Sequence, residues 1–323
     1  MKAIRIGVMG CASIADRMVI PAIKALDCYT LVAIASRSRE KAEKFALKFQ
    51  CEPVLGYQAL LDREDIDAIY MPLPTGLHFE WLSKAIDAGK HVLVEKSFAK
   101  NLTEAISLVE AACSRKLVVK ENYMFEYHSQ QSQVVNTIKD FAGDVRLFRA
   151  NFGFPPLDKA NFRYDKSLGG GALLDAGGYV LKSLKVFFPK ADFKIKSSTL
   201  DYDNCGVDIA GTATVHIITD GCVIPAHLGF GFDHFYQCNI EAWGSKAKLS
   251  TNRSFTAGSD FSPEISVHSA DGKVKIEMDK DDHFKNILVE FYHGINNRSG
   301  HIEGKAILAQ AKLQQDLREM ANT

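Results

Sequence analysis

Short β-branched runs alternate with helical stretches over roughly the first 120 residues, and no other feature limits the possible folds so strongly. "AIRIGVM", "YTLVAIAS", "DIDAIYMPL", "HVLVEK" and "LVVKEN" read as five strands. Between them lie "SIADRMVIPAIKAL", which carries a proline, the charged "SREKAEKFALKF", "HFEWLSKAIDAG" and "TEAISLVEAACSRK", all of helical period. Apolar strands joined by helices are buried on both faces, which means a parallel sheet of Rossmann type.

The rhythm changes near residue 123. One helix ("SQQSQVVNTIKDFAG") and one strand ("DVRLFRANFGF") lead into a glycine-rich helix at 171–187. Long alternating segments follow, with Asp220-Gly221 and Asp271-Gly272 marking antiparallel hairpins. The expected fold class is α/β: an N-terminal Rossmann-type parallel sheet plus a C-terminal α+β domain with a large, mainly antiparallel sheet. The boundaries read as 1–122, 123–302, and 303–323 for a C-terminal helix.

Composition narrows the function by exclusion. Lysine plus arginine and aspartate plus glutamate both number 39, so no net field draws the chain to nucleic acid or to an anionic membrane. No apolar run approaches the ~18 residues of a membrane span, and "MKAIRIGVMG" lacks the long apolar core of a signal peptide. The seven cysteines are scattered and never spaced CxxC, a pattern of reduced thiols in a cytoplasmic protein. Ten histidines without paired spacing suggest no metal site.

"GVMGCASIA" follows the first strand and opens the first helix, the place of a dinucleotide fingerprint. Gly10, Ala12 and Ala15 stand where the pattern has three glycines, with Ser13 and Ile14 in the first helical turn. By itself this also suits an ordinary strand–helix turn. The second strand ends at Ser36-Arg37, with Arg39 behind, where an NAD site would place an acid for the ribose 2′-hydroxyl. Serine and a guanidinium accept a 2′-phosphate instead, so the cofactor reads as NADP(H). The competing view is that both arginines are the solvated start of a helix.

Glu95 and Lys96 follow the fourth strand, at the sheet edge where ligands bind in open α/β folds. A lysine there can stabilise charge developing on a carbonyl oxygen, although lysine after a strand is also commonly just solvated. In the loop "PLPTGLHFEW", Leu73, Pro74 and His78 are expected against the cofactor. On the glycine-rich helix, Gly177, Val180, Leu181, Leu184 and Phe188 fall within about 60° of Leu173 and form a core stripe. Asp175, Tyr179 and Lys182 fall opposite. A carboxylate and a phenol four residues apart suit proton transfer and substrate orientation, yet the same face suits a wet helix surface.

Together these residues resemble the glucose–fructose oxidoreductase / inositol dehydrogenase (Gfo/Idh/MocA) family, over essentially the whole length. "VEKSF" stands for the family's EKP segment, and "ENYMFEYHSQ" and "GGGALLDAGGY" follow. Within it, "SRSRE", "FGFPPLDKANFRYD" and "GFGFDHFYQCNIEAWG" look most like NADPH-dependent ketoreductases of nucleotide-linked deoxysugars. The resemblance implies that Lys96 polarises a keto group and Tyr179 donates the proton, the two facing one another across the substrate. It also implies that Asp175 holds a sugar hydroxyl, that Arg163 meets a diphosphate or sugar oxygen, and that the chain forms a homodimer or homotetramer. Three departures stand out: Ser97 replaces the usual proline, Glu126 stands where many members have arginine, and Ala12 thins the fingerprint. An NADP-dependent dehydrogenase of free sugars, polyols or dihydrodiols is the alternative on the same scaffold. A non-catalytic NADP-binding regulator of sugar metabolism is the alternative of another class, and it would need no proton donor.

Overall fold

Six short strands pair in parallel in the order β3-β2-β1-β4-β5-β6. They are β1 (Ile4–Met9), β2 (Tyr29–Ser36), β3 (Glu52–Leu55), β4 (Ala68–Met71), β5 (His91–Val94) and β6 (Val119–Glu121) in a computed structural model that describes residues 2–322. β4 is buried at every position, as a strand covered on both faces must be. Strand order reverses between β1 and β4, and the carboxyl ends of these strands carry the Gly10 turn and, one strand further on, Lys96.

The sequence gives five strands here; β3 is the sixth. Its four residues "EPVL" are mostly exposed, do not alternate, and include Pro53, which the free side of an edge strand tolerates. The first helix also departs from a regular α-helix. Ala15–Val19 is a π-turn, with the Ile20 N–H donating to the Ala15 carbonyl, and Ile20–Lys24 is α-helical. Pro21 has no N–H and would crowd the carbonyl four residues back, and the wider turn relieves that conflict.

The second sheet has eight strands in the order β14-β13-β12-β11-β7-β10-β9-β8. They are β7 (Val145–Gly153), β8 (Asp192–Tyr202), β9 (Asp208–Thr219), β10 (Cys222–Gly231), β11 (Gln237–Gly244), β12 (Ala247–Thr251), β13 (Glu264–Ser269) and β14 (Gly272–Glu277). Only β7 and β10 pair in parallel. Asp220 and Gly221 both take positive φ, 48° and 75°, in the two-residue turn that joins β9 to β10. One face of the sheet buries Phe148, Ala150 and Phe152 of β7 with Leu228 and Phe230 of β10. The helix Gly178–Phe187 covers them with Val180, Leu181 and Leu184. Both edge strands carry exposed lysines, Lys194 and Lys196 on β8 and Lys273 and Lys275 on β14, which disfavours pairing with another chain.

The chain divides into two units, one of residues up to Asn122 with Phe284–Ala311, the other of Tyr123–His283 with the segment from Lys312. Contacts thus divide the chain after Asn122, His283 and Ala311, where the sequence reading has boundaries after 122 and 302. Within the first unit, Gly304 lies against Val109, Lys120 pairs with Glu303 at 2.8 Å, and Tyr29 donates to the Leu288 carbonyl at 2.7 Å. The amphipathic helices after residue 283 pack by these long-range contacts, which periodicity does not show.

Candidate active site

In the first unit the Gly10 backbone has φ +123°, and a Cβ there would lie 3.1 Å from Leu73 Cδ2. Glycine is thus required for its dihedral and for the approach of the β4 loop. The first-turn N–H groups of the helix that starts at Ser13 have no carbonyl one turn back within it, leaving donors for an anion beside Ala12 and Ile14. At the end of β2, Ser36 is buried and its Oγ accepts from the Ser38 N–H at 3.1 Å. Arg37 is exposed, and its positive charge partly offsets the burial that raises the pKa of the Tyr57 phenol. A hydroxyl and a guanidinium where a ribose-binding carboxylate would sit fit a phosphorylated ribose.

His78 corrects an expectation. Its ring is fully buried, with Nδ1 2.8 Å from the Ser97 carbonyl and Nε2 2.8 Å from the Leu73 carbonyl. Both nitrogens are committed to backbone, so neither is available to a ribose or phosphate. Burial lowers its pKa against the pull of those carbonyls. The ring instead ties the loop after β4 to the loop after β5, so His78 positions Leu73, Pro74 and the segment carrying Lys96.

Lys96 is half-buried just past β5, and the Lys96–Ser97 peptide is cis. Ser97, in the place of the family proline, is completely buried. Glu95 keeps some residue surface exposed but its carboxylate is enclosed, and burial raises its pKa. Its Oε1 accepts from the Tyr70 hydroxyl at 2.7 Å and from Asn122 Nδ2 at 2.6 Å. Glu121 Oε1 accepts from the Phe98 N–H at 2.7 Å. Tyr70, Glu121 and Asn122 escaped the sequence reading because they look like ordinary strand-end residues.

In the second unit, Leu173–Gly177 form a π-turn that runs into the helix Gly178–Phe187. Tyr179 is 5 % exposed and Lys182 is buried, so the face opposite the core stripe is wet only toward Asp175. Rings of Tyr123, Phe125, Phe152 and Phe255 surround it at centroid distances of 5.3, 5.6, 5.0 and 5.8 Å. Its hydroxyl donates to Met124 Sδ at 3.7 Å. Lys182 is likewise buried, 3.2 Å from Glu126 and 5.5 Å from the Tyr123 ring centroid. Glu126, which departs from the family pattern, is thus the counter-charge of a buried lysine.

Asp175 pairs with Arg163, whose Nε donates to Oδ2 at 2.7 Å, and the guanidinium sits over Phe162. A residue that sequence reasoning missed holds the start of the π-turn. Asp208 at the head of β9 accepts from the Leu173 N–H at 2.6 Å, and burial raises its pKa despite that donor. It serves as an N-cap supplied from 35 residues away, so no local spacing reveals it. Among the described residues no group of three or more His, Cys, Asp or Glu side chains is placed to hold a metal.

Comparison with known proteins places these features in context. The family model for an oxidoreductase family with an NAD-binding Rossmann fold matches residues 4–123, and that for a Gfo/Idh/MocA C-terminal domain matches residues 139–250. The chain is 38 % identical over 300 residues to dTDP-3,4-didehydro-2,6-dideoxy-alpha-D-glucose 3-reductase of Saccharopolyspora spinosa, covering 93 % of this chain and 90 % of that one. It is 37 % identical to the reductase of the same name from Actinomadura kijaniata, with coverages of 90 % and 87 %. The crystal structure of a 3-ketoreductase from Actinomadura kijaniata in complex with NADP and TDP-benzene superposes with a TM-score of 0.94 at 35 % identity, covering 99 % and 98 %.

Proposed function

The chain belongs to the Gfo/Idh/MocA oxidoreductase family, and from that premise we propose that it is an NADP(H)-dependent reductase of a keto group on a nucleotide-linked sugar, at the 3-position. The observation that carries this reading is the whole-length match to 3-ketoreductases, one of them solved with NADP and a TDP compound. The residues of both units are chemically consistent with it. NADPH, when bound, supplies the hydride.

The Gly10 turn, Ala12, Ser13 and Ile14 would hold the pyrophosphate, and Ser36 and Arg37 the 2′-phosphate. Leu73, Pro74, Glu95 and Lys96 would line the cofactor, with Glu95 fixed by Tyr70 and Asn122. The Lys96 ammonium donates to the keto oxygen and stabilises its developing negative charge. Tyr179 gives its phenolic proton to that oxygen as the carbonyl carbon becomes tetrahedral. Asp175 and Arg163, already paired, offer an acceptor and a set of donors to sugar hydroxyls. A homodimer or homotetramer in the cytoplasm completes the proposal; the scattered cysteines favour a reducing compartment, and light scattering checks the assembly state.

The decisive test is Tyr179→Phe. Turnover of a dTDP-linked 3-keto sugar should fall by about 10²–10⁴-fold, while NADPH affinity measured by fluorescence stays within about twofold. Near-normal turnover rejects the proton-donor role.

A further inference from the structure

We propose that Arg253 is the residue that takes the diphosphate of the nucleotide-linked substrate, and that Phe235, the chain neighbour of its partner Tyr236, offers a ring to the base. The inference rests on the keto-sugar reductase reading and assigns it a subsite. The loop after β12 carries Arg253 and Phe255 two residues apart. Phe255 packs on Tyr179, with ring centroids 5.8 Å apart. Two Cα steps, at most about 7.6 Å, therefore separate the Arg253 backbone from a residue that touches the proposed proton donor.

The guanidinium of Arg253 is held in place from within the same unit. It lies 4.7 Å from the Tyr236 ring centroid and 5.9 Å from that of Phe261. Its Nη1 donates to the Tyr236 hydroxyl at 3.2 Å, and that hydroxyl shares a hydrogen bond with Thr256 Oγ1 at 2.6 Å. The backbone at Arg253 has φ +54°, a region that non-glycine residues enter only when their surroundings hold them there. Two bonds do the holding: Ser254 N–H to the Cys238 carbonyl at 2.9 Å and Phe255 N–H to Cys238 Sγ at 3.3 Å.

Among the described residues, no carboxylate pairs with Arg253. Arg163 differs, because Asp175 already compensates its charge at 2.7 Å. A rigid, uncompensated guanidinium fork suits a diphosphate, which it can bind through paired N–H donors. Next to Tyr236 stands Phe235, 87 % exposed, the most exposed large apolar side chain among the described residues. An exposed ring one residue along the chain from the partner of that cation gives a base a face on which to stack.

The test titrates the NADPH-bound protein with thymidine diphosphate and, separately, with inorganic pyrophosphate by calorimetry. Arg253→Met should weaken both ligands about ten- to a hundredfold and leave NADPH affinity within about twofold, with Arg253→Lys intermediate. Phe235→Ala should weaken thymidine diphosphate and spare pyrophosphate. Unchanged urea midpoints establish that the variants fold, and if Arg253→Met does not, the Lys variant decides. Wild-type affinity for thymidine diphosphate in the Arg253 variants overturns the assignment and leaves the reductase reading standing. Equal loss of both ligands in Phe235→Ala overturns the role of that ring. A wild-type protein that reduces free keto-sugars yet ignores thymidine diphosphate at millimolar concentration overturns the reading, and the subsite with it.

Discussion

Gly178 lacks a side chain because Tyr123 occupies its space. A Cβ there would overlap the Tyr123 hydroxyl and lie 3.1 Å from Gln314 Nε2, so the glycine lets a second tyrosine stand edge-on to Tyr179. Gly177 serves a different neighbour. Its Cβ would come within 3.1 Å of Leu173 Cδ1 and of Phe230 Cε2, so the close packing is against the sheet of its own unit. Helix propensity of about 1 kcal/mol per glycine is given up at these positions for ring packing. In the other unit, the proposed ligand of the 2′-phosphate is Arg37, which would set cofactor choice. Replacing it with aspartate puts a carboxylate where the 2′-phosphate would lie and offers the 2′-hydroxyl an acceptor. Arg37→Asp should therefore shift the NADP/NAD ratio of kcat/KM toward NAD by at least about tenfold, one charged contact's worth. An unmoved ratio would remove Arg37 from the site.

At the scale of elements, both helices that carry proposed site residues contain a π-turn in their first half, Ala15–Val19 and Leu173–Gly177. Such turns widen the backbone locally and often accompany functional sites. The two differ in origin: the first accommodates Pro21, and the second has its starting N–H held by the distant Asp208. The turn that closes the second unit is fastened by a buried histidine pair. The His128 and His283 rings stand 5.7 Å apart at 85°, Asp281 Oδ2 lies 4.0 Å from His128 Nδ1, and Asp281 also accepts from the Ser129 N–H. Burial and the facing His128 push the His283 pKa down to about 3, with Asp281 opposing; burial also lowers His128. The fold thus disfavours the charged form of both imidazoles, most strongly at His283, while in the unfolded chain they bind protons near pH 6.5. Stability is therefore fully present above about pH 6.5 and falls as pH drops toward 3, by about 1.4 kcal/mol per unit for His283. Urea midpoints should decline between pH 6.5 and 5, and His283→Phe should flatten that slope. The same slope in wild type and variant would refute the linkage.

At the scale of the whole molecule, the sequence made legible what depends on local period and on named motifs. The parallel sheet, the antiparallel hairpins, the Gly10 turn and the Asp175–Tyr179 helix all announce themselves over a few residues. The surroundings of Tyr179 do not, because its four rings come from residues 123, 125, 152 and 255, and only the folded sheet brings those together. His78 misled for a related reason: a histidine after a strand looks like a ligand until its two carbonyl partners, 5 and 19 residues away, are in place. The last helix was legible as such at 303–323, but its division between the two units was not. Gly300–Ala321 starts in the first unit and ends in the second. In the second unit its end buries Leu313 and Leu317, accepts from Ser198 Oγ at 2.8 Å through the Leu317 carbonyl, and sets Gln314 beside Gly178. Burying each leucine contributes about 1.5–3 kcal/mol, so ending the chain after Ala311 should cost the second unit several kcal/mol. The first unit keeps its own share, Phe284–Ala311, and with it the fingerprint turn and the end of β2. The shortened protein should thus bind NADPH within about twofold of the full chain, show a lower urea midpoint, and lose turnover as the Tyr123–Gly178 contact loosens. Full turnover with an unchanged midpoint would mean that these last residues hold nothing at the site.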